Sequence, residues 1–318
     1  MPLLAFGPAN PDLPAPGRLQ WSIESAYANS FSHSWHPVLY HELLGPRGTA
    51  FRRDEAERIH RDFPEERAWF VDGDVLRSAL AARVGVTRTT FVSLEIPYVS
   101  HEAFTGDRFV GEFHRIFGLS QAGRSDFPRG SFVVMTQPAH GPLSFSSGSP
   151  SSGPGDVVAS FGWRPPRGES GRSWGLDVSV KAPTGRAGDF NGSGGWDAGA
   201  LFFAAKTGAK WRLQAEAGVV VPGAWKAPVD VSTAPFGRVL LGATRRFGSK
   251  TRIGASVTVE QSPFHREDLD AVSKMGAEFA LGLDRDFSRW TARMLITEHL
   301  AAAGDRADVG LALRVSYR

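Results

Sequence analysis

Strict alternation of apolar and polar residues, segment after segment, constrains this chain more than any other feature. Trp211–Val221 puts Trp211, Leu213, Ala215, Ala217, Val219 and Val221 on one phase and Arg212, Gln214 and Glu216 on the other. Thr251–Glu260 sets Ile253, Ala255, Val257 and Val259 against Arg252, Ser256, Thr258 and Glu260. The same period recurs over Gly155–Trp163, Ser173–Ala182, Gly195–Thr207, Lys274–Asp284, Arg289–Thr297 and Arg306–Arg318. Upstream it is carried by Leu19, Trp21 and Ile23, by Asp74–Gly85 and by Thr89–Val99. Successive side chains of a strand point to opposite faces, so a sustained period of two predicts strands with one apolar and one polar face.

Alternation alone suits a soluble sandwich as well as a barrel. Two further features choose the barrel. The links alternate in length: Gly208–Lys210, Gly248–Lys250 and Asp286–Ser288 are tight, whereas 183–194, 222–235, 261–273 and 299–305 are long. Short turns on one rim and long loops on the other are the layout of an outer-membrane barrel. Trp163, Trp174, Trp211, Phe247, Phe287, Trp290 and Tyr317 border the short turns. Aromatic rings favour the membrane–water interface because their faces are apolar while an indole or phenol edge hydrogen-bonds, so these seven read as membrane-interface residues. The sequence holds no run near the roughly 18 apolar residues of a membrane helix, but a barrel strand needs only about 9–11 alternating residues.

The expectation is therefore an all-β, transmembrane, antiparallel up-and-down barrel in the bacterial outer membrane. Counting by turns gives three strands within about 1–31 and 68–99 and nine within 155–318, twelve in all. The count becomes fourteen if Ser131–Thr136 pairs with a neighbour in its own link. Residues 1–16 read as a leader and 17–318 as one barrel domain, with long loops at 32–67 and 100–154. The first residues, Met-Pro-Leu-Leu-Ala-Phe-Gly-Pro, carry neither the basic nor the apolar stretch of a signal peptide, so export implies a leader already removed.

Both long loops contain a helical period. Ala56, Ile59 and Phe63 share one helical face before Pro64. Phe109, Phe113, Ile116 and Phe117 share another before Gly118, which predicts an amphipathic helix that plugs or caps the lumen, with the lipid surface as a further place for it.

Function classes narrow next. The chain has no cysteine, which excludes disulfide frameworks, thiolate metal sites and cysteine nucleophiles. A net charge of +3, with arginines scattered rather than striped, gives no nucleic-acid surface. The spacing of His33, His36 and His41 matches no metal motif, and Gly192–Gly195 lacks the lysine and helix of a phosphate loop. Gly171-Arg-Ser-Trp-Gly175 has the G-x-S-x-G spacing, but it opens an alternating strand segment and is not followed by the helix of a nucleophile elbow. No catalytic residue, metal or cofactor is assigned. The ionised residues on the polar phase remain as lumen-lining candidates: Glu24, Arg77, Arg83, Glu95, Lys181, Glu216, Arg252, Glu260, Glu278 and Arg293. In a narrow lumen such charges either pair and close the interior or line a wet path. Three readings stay open: a passive or gated conduit for small solutes, a non-transporting barrel with structural or partner-binding outer loops, and a lipid-modifying enzyme.

Eight segments, in order, carry a resemblance: Gly17-Arg-Leu, Tyr27-Ala-Asn-Ser-Phe-Ser-His33, Asp72-Gly-Asp-Val-Leu-Arg77, Leu94-Glu-Ile-Pro97, Phe113-His-Arg-Ile-Phe-Gly-Leu119, Gly155-Asp-Val, Lys181-Ala-Pro-Thr-Gly185 and Gly192-Ser-Gly-Gly-Trp-Asp197. Together they resemble the bacterial family catalogued as domain of unknown function 3187, from about residue 17 to 318. The resemblance implies an outer-membrane protein and carries no activity with it. The last strand also resembles the signal read by the barrel-assembly machinery, with Asp308, Gly310, Leu313, Val315 and Tyr317 at alternating positions. It departs from that signal in ending on Arg318 rather than an aromatic residue. Membrane lipid and that machinery are the expected partners.

Overall fold

The computed structural model describes residues 13–33, 51–101, 106–118, 127, 130–137, 141–148, 150–166, 171–229, 231–264, 275–300 and 309–317. The strands are β1 (Leu19–His33), β2 (Ala68–Gly85), β3 (Thr90–Ser100), β4 (Val133–Gln137), β5 (Ser144–Ser147), β6 (Gly153–Pro154), β7 (Val157–Trp163), β8 (Arg172–Ala182), β9 (Asp197–Thr207), β10 (Trp211–Val221), β11 (Phe236–Phe247), β12 (Thr251–Glu260), β13 (Gly276–Phe287), β14 (Trp290–His299) and β15 (Val309–Tyr317). The helices are α1 (Arg53–Asp62) and α2 (Gly106–Phe117).

Twelve strands form the wall, each antiparallel to its neighbours. They run β1-β2-β3, then β7 through β15, and β15 pairs back onto β1 in register from Trp21↔Tyr317 to Asn29↔Val309. Closure leaves no free edge, which a sheet in hydrocarbon requires because nothing there would satisfy an open row of N–H and C=O groups. Register carries one parity round the ring. Ile23 lies opposite Leu80, Leu80 opposite Ile96, Leu94 opposite Ala159, and Leu176 opposite Phe202. Most of these residues, with Val178, Leu213, Leu241, Val257, Leu281 and Leu313, are exposed. A belt of exposed apolar side chains is the face a barrel shows to lipid.

The seven aromatics beside the short turns all lie on the outward parity. Trp163 and Trp174 meet edge to face at 5.0 Å, and Trp290 meets Tyr317 at 4.9 Å. Trp21 joins them, 5.1 Å from Trp290, and so covers the seam between the first and last strands.

Strand β2 starts at Ala68, six residues before the alternation predicts. Its first part, Ala68–Asp72, pairs with β4, and β4 pairs with β5. The pairing within the 100–154 link therefore forms, but the hairpin extends β2 above the wall instead of entering it, and the wall keeps twelve strands.

Candidate functional site in the lumen and at its mouth

Inward parity falls on a different set of side chains. All ten charges singled out from the sequence stand at inward positions: Glu24, Arg77, Arg83, Glu95, Lys181, Glu216, Arg252, Glu260, Glu278 and Arg293. The two sides of the ring use them differently.

From β12 round to β3 the interior is a ladder of partly exposed ion pairs. Arg252 bonds Asp286 at 2.6 Å and lies 3.3 Å from Asp284, which Arg293 also bonds at 2.6 Å. Arg314 of β15 reaches Glu24 of β1 at 2.5 Å, and Arg77 of β2 pairs with Glu95 of β3. The Arg293 side chain stays 40% exposed and that of Arg252 27%. Asp284, Asp286 and Arg314 are partners that the sequence reading left out, although Asp284 and Arg314 sit on the polar phase where it looked.

From β7 to β11 the interior is packed. Leu201, Phe203, Val220, Phe236 and Leu240 are buried. Arg164 is buried against Asp177 at 2.7 Å and lies 4.2 Å over the Phe203 ring and 5.1 Å from the Phe91 ring. Arg83 covers Phe91 at 3.4 Å. The Phe91 ring lies against Gly162, where an added Cβ would come within 1.9 Å of the ring. Only glycine lets the ring seat there. Glu216 is buried, with Arg238 at 3.9 Å.

The outer mouth is roofed. Trp69 and Val71, on the lumen-side parity of β2, pack with Phe264 from the β12–β13 loop and Val231 from the β10–β11 loop. Phe132 and Val134 pack with Phe190 from the β8–β9 loop and with Val229. The β10–β11 loop rises on the far side of the ring from β2, so these contacts bridge the opening. Above them, the opposite face of the β1–β2–β4–β5 extension buries Phe31, Phe70, Met135 and Phe145 against Ala56 and Ile59 of α1 and against Phe51 and Phe127. Gln137 secures the end of α1 by donating from Nε2 to the Phe63 and Glu66 carbonyls at 2.9 and 3.0 Å.

One cluster ties the roof loops to the wall. Lys181, at the top of β8, is 2% exposed. Its Nζ donates to Asp156, to Ser193 Oγ at 2.6 Å and to the Gly195 carbonyl at 3.0 Å, which uses all three donors of an ammonium. Asp197 Oδ2 lies 3.4 Å away. Asp156 also accepts from the Gly185 and Ser193 amides at 2.9 and 3.0 Å, and Asp197 accepts from the Gly223 amide at 3.0 Å. At Gly192 a Cβ would meet Asp156 Oδ1 at 2.3 Å, so this carboxylate can sit among the amides only beside a glycine. Three of the segments that carried the resemblance, around Asp156, Lys181 and Ser193, thus converge here. His101, in the loop above β3, is buried with its ring 5.3 Å from that of Phe132. Burial holds its pKa below the ordinary 6.5, against the opposing pull of Asn191, the Phe190 backbone and Asp189.

Helix α2 stands elsewhere than its amphipathic pattern led us to expect. It packs against β1, and His114 Nε2 lies 3.7 Å from Glu298 Oε1, an outward position of β14 opposite Phe279. It lies on the outside of the wall, so α2 neither plugs the lumen nor caps the mouth. A helix's pattern shows that it needs an apolar partner and does not say which one. Val110 and His114 face the wall, Phe113 is half-buried, and Phe109 and Ile116 are exposed; the side chain of Phe117 is outside the described residues. His36, His41, Asp308 and Arg318 also lie outside them. Among the described residues, no group of His, Asp and Glu has the arrangement of a metal site.

A closed twelve-stranded wall with a lipid-facing belt and a charged interior defines a porin-like outer-membrane β-barrel. The chain belongs to the family of proteins of unknown function DUF3187, whose model matches residues 62–318. In fold it is similar to the COG4313 outer membrane channel of Pseudomonas putida F1, with a TM-score of 0.58 at 11% identity, over 98% of this chain and 99% of that one. The KdgM porin gives a TM-score of 0.42 at 8% identity, over 93% and 98% of the two chains. The toluene transporter TbuX of Ralstonia pickettii gives 0.43 at 8%, over 96% and 90%. The last two likenesses are too distant to carry weight. No curated protein matches the chain.

Proposed function

We propose that this barrel is a gated conduit for small solutes across the bacterial outer membrane. The observation that carries the reading is the ladder of partly exposed ion pairs from Arg252 through Glu24 to Glu95, inside a closed wall. Charges that stay accessible within a barrel hold water, and alternating signs along a path let ions enter without being trapped. The ten inward charges belong to the lining of this path or to its support. The rim aromatics hold the short-turn end at the lipid interface. The protein needs no cofactor and acts without catalysis, and its last strand engages the assembly machinery. The roof is the gate, because it crosses the outer end of the path.

Conductance in planar lipid bilayers tests this. The intact protein is compared with a variant in which 131–147 is replaced by a short Gly/Ser link, both checked for folding by heat-dependent gel mobility. Small or intermittent steps from the intact protein and large, steady ones from the variant are expected. Silence from both folded proteins overturns the conduit and leaves the barrel as a scaffold for its outer loops.

A further inference from the structure

The three sides of α2 carry three different chemistries. At about 100° per residue, Val110 and His114 share the side turned to the wall. Phe109, Phe113 and Ile116 form a second side, with Phe109 43% and Ile116 67% exposed and the Phe109 and Phe113 rings 6.2 Å apart. Arg108, Glu112 and Arg115 form a third side, exposed and polar, with Arg115 Nε on Glu112 at 2.9 Å. Gly118, at φ +67°, ends the helix in the left-handed conformation.

The height of the helix follows from the register. Glu298, beside His114, lies opposite Val309, and Val309 lies opposite Asn29; Val309 and Asn29 are fully buried. Eight residues of β15 separate Val309 from Tyr317 at the aromatic rim. At about 3.3 Å per residue and a tilt of about 40°, that is roughly 20 Å of height, near the top of an apolar band about 25 Å tall. Directly below, Leu311, Leu313 and Met294 are exposed as part of the lipid-facing belt. At this height the outward face of the wall turns polar. Tyr27 Oη and Asn29 Nδ2 each donate to Asp74 Oδ1 at 2.6 Å, and Glu298 follows on β14. Such groups cannot face acyl chains unsheltered.

We propose that α2 is an interfacial anchor. It lies along the outer leaflet, screens the polar outward patch, sinks Phe109 and Ile116 among the acyl chains, and presents Arg108 and Arg115 to lipid phosphates. The occupant of its free sides is membrane lipid carrying phosphate at the headgroup boundary, such as the phosphorylated glucosamine lipid of the outer leaflet. The exposed apolar side continues the belt beneath it, and the arginines complement phosphate charge. The proposal rests on the barrel spanning a membrane and not on what passes through it.

The chain has no native cysteine, so single cysteines are clean probes. Phe109→Cys, Glu112→Cys and Ile116→Cys proteins, each labelled with a polarity-sensitive fluorophore, are placed in phosphatidylethanolamine vesicles with and without diphosphorylated lipid A. Emission at 109 and 116 is expected to shift to the blue and to lose most of its intensity to doxyl-labelled acyl chains, while emission at 112 stays water-like. In parallel, the Arg108→Gln/Arg115→Gln protein should retain less lipid A through purification than the parent does, and inorganic phosphate should not displace that lipid. Water-like emission at all three positions, or equal quenching at all three, overturns the anchor. Equal lipid A retention by parent and double variant overturns the role of the arginines.

Discussion

Lys181 and Arg252 hold the same charge pattern in opposite settings. Each is a cation between two aspartates, Asp156 and Asp197 for the lysine and Asp284 and Asp286 for the arginine. Lys181 is shut in by loops, and every donor it has is used inside the protein. Arg252 faces the lumen with about a quarter of its side chain accessible, and both its aspartates keep other donors, Arg293 on Asp284 and Thr291 on Asp286. The difference teaches where electrostatics fixes structure and where it leaves charge accessible in the lumen. A buried cluster with no slack fixes loop geometry, whereas a wet ladder with redundant partners tolerates loss and sets the field inside the lumen.

The sharpest way to break the comparison is to remove each cation in turn. Lys181→Met leaves two carboxylates buried without their countercharge, a change that costs about 3–5 kcal/mol where no water reaches. It should lower the thermal midpoint, read by heat-dependent gel mobility, and expose the 183–196 loop to protease. Arg252→Met should cost about 1 kcal/mol or less, as for a pair open to solvent. Equal losses would mean that the two settings do not differ.

Function should reverse that order. Arg252→Met combined with Arg293→Met leaves Asp284 and Asp286 without their guanidinium partners on the lumen wall. Reversal potentials across a salt gradient should move toward cation preference in this protein and stay unchanged in Lys181→Met. A selectivity shift from the lysine variant would place its cluster on the path instead of above it.

Much of this contrast was out of reach from the alternation, for reasons particular residues make plain. Parity is local, so the inward phase of Arg252, Arg293 and Glu24 could be read from neighbouring residues. Pairing is not local: Glu24 meets Arg314 only because the last strand closes on the first. Asp156, Arg164 and Asp197 flank or begin their strands, where alternation carries little signal. Trp69, Phe70 and Val71 defeat the period altogether, since that part of β2 is covered on both faces, by α1 above and by the roof loops below. A pattern that depends on one wet or lipid face vanishes where neither exists, and the roof is built where the pattern stops.

Acid should act on the loop end through His101. The pKa of His101 is held below 6.5 by burial, so the unfolded or opened chain binds its proton more readily than the packed one. The stability tied to this group is fully present above about pH 6.5 and is lost as pH falls below it. Proteolysis of the 183–196 loop should therefore rise as the medium is taken from pH 7.5 toward pH 5, and His101→Gln should flatten that rise. A rise that persists in His101→Gln assigns the acid response to another group.

Salt separates the two settings by the smallest effect and needs no new variant. Raising the ionic strength from 0.1 to 1 M shortens the screening length from about 10 Å to about 3 Å, but only where mobile ions have access. The stability difference between parent and Arg252→Met should shrink toward zero across that range, because ions reach the ladder through the lumen. The difference for Lys181→Met should hold, because no ion enters a cluster whose lysine is 2% exposed. If both differences shrink together, the loop cluster is as wet as the ladder, and a roof with water in its fastenings is a poor candidate for a gate.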